Sequence, residues 1–396
     1  MCVASTGTPA RVTLADIVRV CGDAVARSYR LVTVQVRALR AIAACRTAVL
    51  GGHRDTCDRC GATRLSYNSC RNRHCPMCQT KATERWLAAR RAELLPIPYF
   101  HVVFTLPHAL NALAQGNPRV VYNLLFRAAT ETLLAFGRDP RHLGGTIGVT
   151  AILHTWGQTL TQHVHLHCVV TGGALSPDGT RWIAGRSAFL FPVRALSVVF
   201  RAKFLDGLQR AYAADRITFG GSTVALANAT TFTDFLTTLR APDWAVYAKP
   251  PFGGADHVLA YLARYTHRVA ISHHRLVDLT DGVVRFRYRD YADHDRPNVL
   301  TLDGEEFLRR FLLHVLPTRF VRIRHAGLFG NRDRHARLDR CRALLGVSPD
   351  APGAPESDPP AATPDHDRCP VCHQGTMHVT ALLPPVLAPP RAPVPP

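Results

Sequence analysis

Two closely spaced cysteine pairs constrain this sequence more than any other feature. The segment CDRCGATRLSYNSCRNRHCPMCQ contains Cys57-x-x-Cys60 and, after a short spacer, Cys75-x-x-Cys78. Each Cys-x-x-Cys turn presents two thiolates to one ion, and two such turns at this spacing complete a closed tetrahedral zinc site. The sequence therefore predicts a structural zinc ion held by these four cysteines. Three neighbouring residues are alternative ligands: His53, Cys70 and His74.

The remaining cysteines and the termini limit the class of protein. The 12 cysteines are clustered rather than spread, which indicates metal binding in a reducing compartment rather than a disulfide framework. Cys369-x-x-Cys372 is a single further knuckle and gives weaker evidence for a second metal. Arginines interrupt the first thirty residues, so the sequence predicts no secretory signal. No stretch approaches 18 uncharged apolar residues, so it predicts no transmembrane helix. We expect a soluble cytoplasmic protein that acts at the nucleoid.

The charge balance indicates a polyanionic partner. The chain has 48 basic and 29 acidic residues, a formal net charge of +19 and a pI near 10.0. Only Lys81, Lys203 and Lys249 are lysines, and all the other basic residues are arginines. The planar arginine fork binds two phosphate oxygens at once, so nucleic acid is the expected partner. A GC-rich genome would explain the preference for arginine over lysine, but it would not explain the net charge.

Hydrophobic patterning predicts an α+β fold around an antiparallel sheet, with a helical and zinc-binding module before it. The predicted helices cover 11–48, 82–95, 119–136, 197–213 and 255–266. The predicted strands cover 99–106, 146–154, 163–171 and 244–248, followed by a hairpin of 275–279 and 283–288. The predicted domains are 1–95 (helical and zinc-binding), 96–345 (catalytic) and 346–396 (a proline-rich, disordered tail).

One predicted strand carries three alternating histidines, in the run QHVHLHCVV. Alternate residues of a strand face the same side, so His163, His165 and His167 should form one row, while Val164 and Leu166 face a core. Three histidines in such a row are rarely explained as satisfied core residues. Because the row supplies only nitrogen ligands, substrate oxygens could complete the coordination of a divalent ion acting as a Lewis acid.

A second motif places two tyrosines on one face of a predicted helix. Tyr261 and Tyr265 are four residues apart, with His257 one turn earlier. Two tyrosines at this spacing are most often packing residues. Beside a predicted metal strand in an arginine-rich chain, however, a tyrosine oxygen could attack phosphorus and carry a DNA end covalently.

Taken together, these segments resemble the two-tyrosine, rolling-circle transposases of the insertion sequence 91 type. The His165-Leu166-His167 pair is similar to the HUH motif (histidine, hydrophobic, histidine), and the likeness runs from about residue 15 to 345. The segments that carry it are CRTAVLGGH (45–53), YNSCRNRHCPMCQ (67–79), YFHVVFTLP (99–107), LHTWGQTLTQHVHLHCVVTGG (153–173) and YLARYTHRVAIS (261–272).

The resemblance implies an N-terminal zinc-binding domain followed by an HUH endonuclease domain on an antiparallel sheet. It further implies nicking of single-stranded DNA at the element's ends, with a 5′-phosphotyrosine, a free 3′-hydroxyl and strand transfer by the second tyrosine. The catalytic ion would be Mg²⁺ or Mn²⁺. The motif does not fix the third ligand, for which His163 is the first choice and Gln158 or His257 are the reserves.

Three groups of arginines are predicted to contact DNA. Arg71 and Arg73 lie on the zinc knuckles, Arg264 and Arg268 flank the tyrosines, and a dense basic run begins at about residue 319. The members of that run chosen as contacts are Arg322, Arg324, Arg332 and Arg334. A solvated helical surface would also account for the run.

We therefore predict a DNA transposase that nicks and transfers single strands. Two rival interpretations are kept. A rolling-circle replication initiator would use the same chemistry, and a zinc-dependent DNA-binding regulator would leave the histidine and tyrosine rows without a catalytic role.

Overall fold

A five-stranded antiparallel sheet has the histidine strand at its centre. The computed structural model describes residues 12–186, 190–249, 257, 269–290, 293–347 and 367–386. Within them, the strands of this sheet lie in the order β12 (Ile323–Gly327), β4 (Gly148–Trp156), β5 (Gln162–Thr171), β3 (Tyr99–Thr105) and β8 (Val246–Lys249). Every neighbouring pair is antiparallel.

Alternation along these strands gives the sheet two different faces. On β5, Val164, Leu166 and Cys168 are completely buried and join the main hydrophobic core. His165 and His167 point to the opposite face, as period-two geometry requires. The pattern read from the sequence thus separates an apolar face from a histidine face.

Four helices contribute to the core on the apolar face. They are α4 (Asn111–Gly116), α5 (Pro118–Arg138), α6 (Val193–Ala213) and α7 (Ala229–Arg240). Pro118 begins α5, where its missing N–H would have had no intrahelical partner. Phe104 on β3 packs against Phe200 on α6, with ring centroids 4.9 Å apart. This thick apolar layer fixes the sheet from behind.

The histidine face is partly covered at one end by two further helices, α3 (Thr80–Ala92) and α9 (Arg334–Leu344). A smaller apolar cluster there joins Ile152 and Val169 of the sheet to Leu338 and Cys341 of α9. Tyr99 is buried beside them, and its hydroxyl accepts a hydrogen bond from the Leu95 amide at 2.9 Å. A short hairpin, β6 (Gly173–Leu175) with β7 (Trp182–Ala184), follows β5.

The remaining elements belong to a second compact unit. They are α1 (Leu14–Ser28), α2 (Thr33–Ala43), β1 (Gly52–Cys57), β2 (Thr63–Tyr67), β9 (Leu276–Thr280), β10 (Val283–Asp290), β11 (Arg296–Asp303), α8 (Gly304–Leu312) and β13 (Met377–Leu383). They form a sheet in the order β13-β1-β2 and another in the order β11-β10-β9, beside α1 and α2. Thr13 begins α1 with a reciprocal capping box to Asp16.

The structure confirms the α+β class. Among the residues described, the chain divides into one unit of 12–81, 271–290, 293–309 and 367–386 and another of 82–186, 190–249, 257, 269–270 and 310–347. This division groups the predicted zinc-binding residues with two distant segments, whereas the predicted domain 1–95 was continuous. Within the tail 346–396, which was predicted to be disordered, 377–383 pairs with β1. The predicted helix 255–266 lies outside the described residues except for His257.

Candidate active site and metal centres

Three buried histidine side chains converge on the face of the five-stranded sheet opposite the apolar core. His165 and His167 lie on β5, and His154 lies on the adjacent β4 directly opposite His165. One ring nitrogen from each lies within 4.8 Å of the others. The rings of His154 and His167 have centroids 4.4 Å apart, and His154 also stacks on Trp156 at 4.5 Å. Rigid strands thus bring three imidazole nitrogens to one point.

The third member of this cluster differs from the predicted one. His163 contacts His165, with centroids 4.8 Å apart, but it lies outside the group of three, and His154 takes its place. Directly paired residues on neighbouring strands are about 5 Å apart, whereas next-but-one residues along a strand are about 7 Å apart. The register of β4 against β5 pairs His154 directly with His165, and the His154 ring also contacts that of His167. Of the two reserves, Gln158 lies half-buried in the β4–β5 turn and His257 is exposed.

Burial keeps the imidazoles of His165 and His167 neutral. Desolvation lowers the pKa of His165 to about 3 and the pKa of His167 well below its usual value, and the neighbouring histidines lower both further. A neutral imidazole keeps a lone pair for a metal, whereas a protonated one does not. His165 and His167 are therefore in the form that can bind a metal at neutral pH.

Neighbouring groups also set the tautomers of the two strand histidines. His165 Nδ1 lies 2.8 Å from the His163 carbonyl oxygen, so Nδ1 carries the hydrogen and Nε2 keeps the lone pair. His167 Nδ1 lies 2.8 Å from Nε2 of His101 on β3, whose pKa burial lowers to about 4. When His101 accepts this bond, Nε2 of His167 also becomes a metal donor. Such partners orient metal-binding imidazoles in known sites.

Eight of the described cysteines form two clusters, both in the other unit. In the first, sulfur–sulfur distances are 3.5 Å for Cys45–Cys78, 3.6 Å for Cys70–Cys78 and 3.7 Å for Cys75–Cys45. A tetrahedron with Zn–S bonds of about 2.3 Å has edges of about 3.8 Å. The first cluster thus has the size of a four-cysteine zinc site.

The second cluster corrects the predicted zinc ligands. Cys57 and Cys60 lie with Cys369 and Cys372, all four sulfurs within 4.8 Å of one another, and not with Cys75 and Cys78. The structure therefore groups each of the two predicted pairs with other cysteines rather than with one another. Cys70, an alternative ligand, belongs to the first cluster, while Cys45 was missed because it is a lone cysteine after α2. His53 approaches Asp55 and His74 approaches Asn72 instead.

Several predicted DNA contacts have partners inside the protein. Arg324 stacks 4.1 Å over the Phe126 ring and donates to Asn123, while Arg334 binds Glu93 at 2.8 Å. The other described members are exposed or half-buried: Arg71 and Arg332 are exposed, and Arg73 and Arg322 are half-buried. Four predicted site residues lie outside the described residues: Tyr261, Arg264, Tyr265 and Arg268.

Comparison with known proteins identifies the family. Residues 148–336 match the family model described as "Putative transposase", and residues 17–106 match "Transposase zinc-binding domain" of the IS91 type. The chain is 51% identical over 388 residues to "Putative transposase y4qJ" of Sinorhizobium fredii (strain NBRC 101917 / NGR234), covering 96% of this chain and 97% of that protein. The chain belongs to the insertion sequence 91 family of transposases.

A second relative supports this membership. The "Transposase for insertion sequence element IS801" of Pseudomonas savastanoi pv. phaseolicola is 28% identical over 302 residues, covering 76% of this chain and 71% of that protein. No solved structure matches the chain. This IS91-family transposase is therefore a DNA-processing enzyme, and its zinc-binding domain holds structural zinc. Across the described part of the chain, no helix has the length and apolar character needed to span a membrane.

Proposed function

We propose that this transposase nicks and rejoins single-stranded DNA in rolling-circle transposition, through a 5′-phosphotyrosine formed by Tyr261 or Tyr265. The observation that supports the proposal is the convergence of His154, His165 and His167 on one face of a rigid sheet. Membership of a transposase family favours transposition over replication initiation, although both use this chemistry.

The three histidines suit a divalent ion as ligands. They are neutral nitrogen donors on adjacent strands, and a three-donor set leaves coordination positions open to substrate. Nitrogen donors are softer than the oxygen ligands that Mg²⁺ prefers, so Mn²⁺ is the better match of the two proposed ions. Bound there, the ion would polarise the scissile phosphate as a Lewis acid.

The proposed reaction exchanges one phosphodiester for another. The tyrosine oxygen forms a bond to phosphorus while the bond from phosphorus to the 3′-oxygen breaks, and the phenolic proton balances the 3′-hydroxyl that leaves. The other tyrosine then performs the same exchange on a second strand. Each 3′-hydroxyl can reverse the step by attacking a phosphotyrosine, which joins strands without an external energy source.

The proposal also assigns the zinc ligands and the DNA contacts. Cys45, Cys70, Cys75 and Cys78 would hold the structural zinc of the family's zinc-binding domain, since all four fall within the matched residues 17–106. Arg264 and Arg268 would bind phosphates beside the tyrosines. The exposed Arg71 and Arg332 are the described arginines best placed to reach DNA in addition.

The nucleophile is tested with single-stranded oligonucleotides from the element's ends, incubated with Mn²⁺ and resolved on denaturing gels. Tyr261→Phe and Tyr265→Phe should each remove one class of covalent adduct, and the double variant should remove all of them. Tyr247→Phe is the matched control, because Tyr247 is an exposed tyrosine on β8 of the same sheet. Adducts that persist in the double variant would overturn the assignment.

The metal site is tested with two histidine variants. His154→Ala should raise the Mn²⁺ concentration needed for nicking by about 100-fold or more, since removing even a supporting residue costs 10–100-fold in metal affinity. His163→Ala should raise it by less than about 10-fold. The opposite ranking would restore His163 as the third ligand.

A further inference from the structure

The second cysteine cluster joins two parts of the chain that are far apart in sequence. Cys57 Sγ lies 3.8 Å from Cys372 Sγ, and Cys60 Sγ lies 3.6 Å from Cys369 Sγ, across separations of 315 and 309 residues. These distances match the edge of a zinc–thiolate tetrahedron, about 3.8 Å. The family's zinc-binding model covers 17–106 and so accounts for only half of this cluster.

The two knuckles repeat one another in their backbone hydrogen bonds. In the first, the Arg59 amide donates to Cys57 Sγ at 3.4 Å, and the Gly61 amide donates to the Cys57 carbonyl at 3.2 Å. In the second, the Val371 amide donates to Cys369 Sγ at 3.4 Å, and the His373 amide donates to the Cys369 carbonyl at 3.0 Å. Amides directed at sulfur stabilise thiolates, the form that binds metal.

The backbone adopts a costly conformation to form the second knuckle. Gly61 follows the first knuckle with φ +69°, which glycine adopts without strain, but His373 occupies the equivalent position with φ +53°. A non-glycine residue keeps this conformation only where its surroundings fix it. The sulfur cluster is the feature that both positions share.

The knuckles fit together closely. A Cβ on Gly375 would lie only 2.4 Å from Cys57 Sγ and 2.7 Å from the Asp58 carboxylate, so only glycine permits this approach. Across the same junction, the Thr376 amide donates to Asp58 Oδ1 at 2.9 Å, and the Asp58 amide donates to the Thr376 carbonyl at 3.1 Å. β13 then continues the junction as a strand paired with β1 along its length.

Apolar packing alone is too slight to hold this junction. The hydrophobic cluster there consists of Cys57, Cys369 and Met377, with Ala62 and Cys372 partly buried beside it. Along β13 only Met377 is buried. Small units without a sufficient core are commonly stabilised by a metal or by disulfides.

We propose that Cys57, Cys60, Cys369 and Cys372 bind a second structural zinc ion, which clasps segment 367–386 onto the zinc-binding domain. The transposase then holds two zinc ions, one from a continuous stretch of chain and one from two distant stretches. The clasp goes beyond the proposed DNA chemistry and does not depend on it. The alternative is that the four cysteines form two disulfide bonds, Cys57–Cys372 and Cys60–Cys369, instead of binding zinc.

The first experiment uses the unmodified full-length chain. Purified under reducing conditions, it should contain two zinc ions by elemental analysis. In the zinc-loaded protein, Cys60 should resist alkylation although it is exposed, and chelation should make Cys57, Cys60, Cys369 and Cys372 reactive together. A content of one zinc ion, or fast alkylation of Cys60 in the loaded protein, would overturn the proposal. Disulfide-linked peptides that join the two knuckles under these conditions would do the same.

Variants locate the second ion. The double variant Cys369→Ser/Cys372→Ser should lose one zinc ion and keep the other, and protease should remove its C-terminal segment faster than in the parent. Cys21→Ala is the matched control, because Cys21 lies in the same unit and outside both clusters, and it should keep two ions. Cys372→His should retain two metals and, after cobalt replacement, show weaker thiolate-to-metal absorption. A double variant that keeps two zinc ions would contradict the proposed second zinc site. If that variant is insoluble, the unmodified chain and the histidine variant decide the question.

Discussion

The histidine cluster and the cysteine clusters are assembled in opposite ways. His154, His165 and His167 come from two neighbouring strands whose other face is fixed by a thick apolar core. The second cysteine cluster lies where apolar packing is thin, and it draws its members from two distant stretches of the chain. In the first region the fold positions the proposed metal ligands, whereas in the second the proposed zinc ion would hold the fold together.

This difference follows from what each kind of site does. A catalytic ion needs open positions and a rigid frame that survives exchange of ligands. A closed four-thiolate site contributes its binding free energy to folding, roughly 10 kcal/mol or more per zinc ion in small zinc modules. We therefore expect the two regions to respond differently to every perturbation of metal, packing or pH.

Metal removal should produce the largest contrast. Chelation of zinc should raise hydrogen exchange strongly in peptides that cover β1, β2 and β13, because the cysteine clusters would lose about 10 kcal/mol of stabilisation per ion. Peptides that cover β3, β4 and β5 should change little. The measurement is hydrogen–deuterium exchange by mass spectrometry, with and without a zinc chelator.

The control for chelation is readdition of metal. Zinc should restore protection in β1, β2 and β13, and Mn²⁺ should not. Equal loss of protection in the central sheet would show that the two regions do not differ in their dependence on metal.

A substitution in the apolar core should destabilise the sheet unit and leave the cysteine clusters unaffected. Phe104 is completely buried against Phe200, and Phe104→Ala should cost about 3–5 kcal/mol through the cavity that it leaves. The zinc content should stay unchanged, because both cysteine clusters belong to the other unit. Urea unfolding measured with elemental analysis tests both expectations.

A surface variant provides the comparison for Phe104→Ala. Val198 lies on α6, the same helix as Phe200, and is 49% exposed, so Val198→Ala should change stability by less than about 0.5 kcal/mol. Loss of zinc from Phe104→Ala would contradict the independence of the two regions.

The sequence predicts what depends on local period and misses what depends on distant pairing. Alternation on β5 is a local property, so the row of histidines and the apolar face behind it can be read directly from QHVHLHCVV. The third member, His154, could not be predicted in this way, because its position depends on which strand pairs with β5 and in which register. The available signal was His154 itself, the last residue of the predicted strand 146–154.

The cysteines illustrate the same limit on a longer scale. Spacing alone favoured joining Cys57 and Cys60 to Cys75 and Cys78, since these are the nearest Cys-x-x-Cys pairs in the chain. Because the composition of 346–396 predicted disorder, Cys369 and Cys372 were not recognised as the partners of Cys57 and Cys60. Three knuckles and two further cysteines allow several combinations, and only the fold selects among them.

Lowering the pH should produce the smallest difference between the two regions. The loss of stability should appear in the unit that contains the five-stranded sheet, even without metal. His314 is completely buried, with Thr155 Oγ1 3.1 Å from its Nδ1 and the Leu160 carbonyl 3.0 Å from its Nε2, and burial lowers its pKa to about 4. An unfolded histidine has a pKa of about 6.5, so between about 6.5 and 4 the unfolded chain binds a proton that the folded chain does not. The contribution of His314 to stability is therefore fully present above that window and is lost as the pH falls through it, by up to about 1.4 kcal/mol per pH unit for this one residue.

His314→Gln should flatten the pH dependence of urea unfolding by up to that slope. Because His314 lies outside the group of three histidines, Mn²⁺ should not alter its contribution, and a slope that Mn²⁺ abolishes would assign the acid sensitivity to the metal cluster.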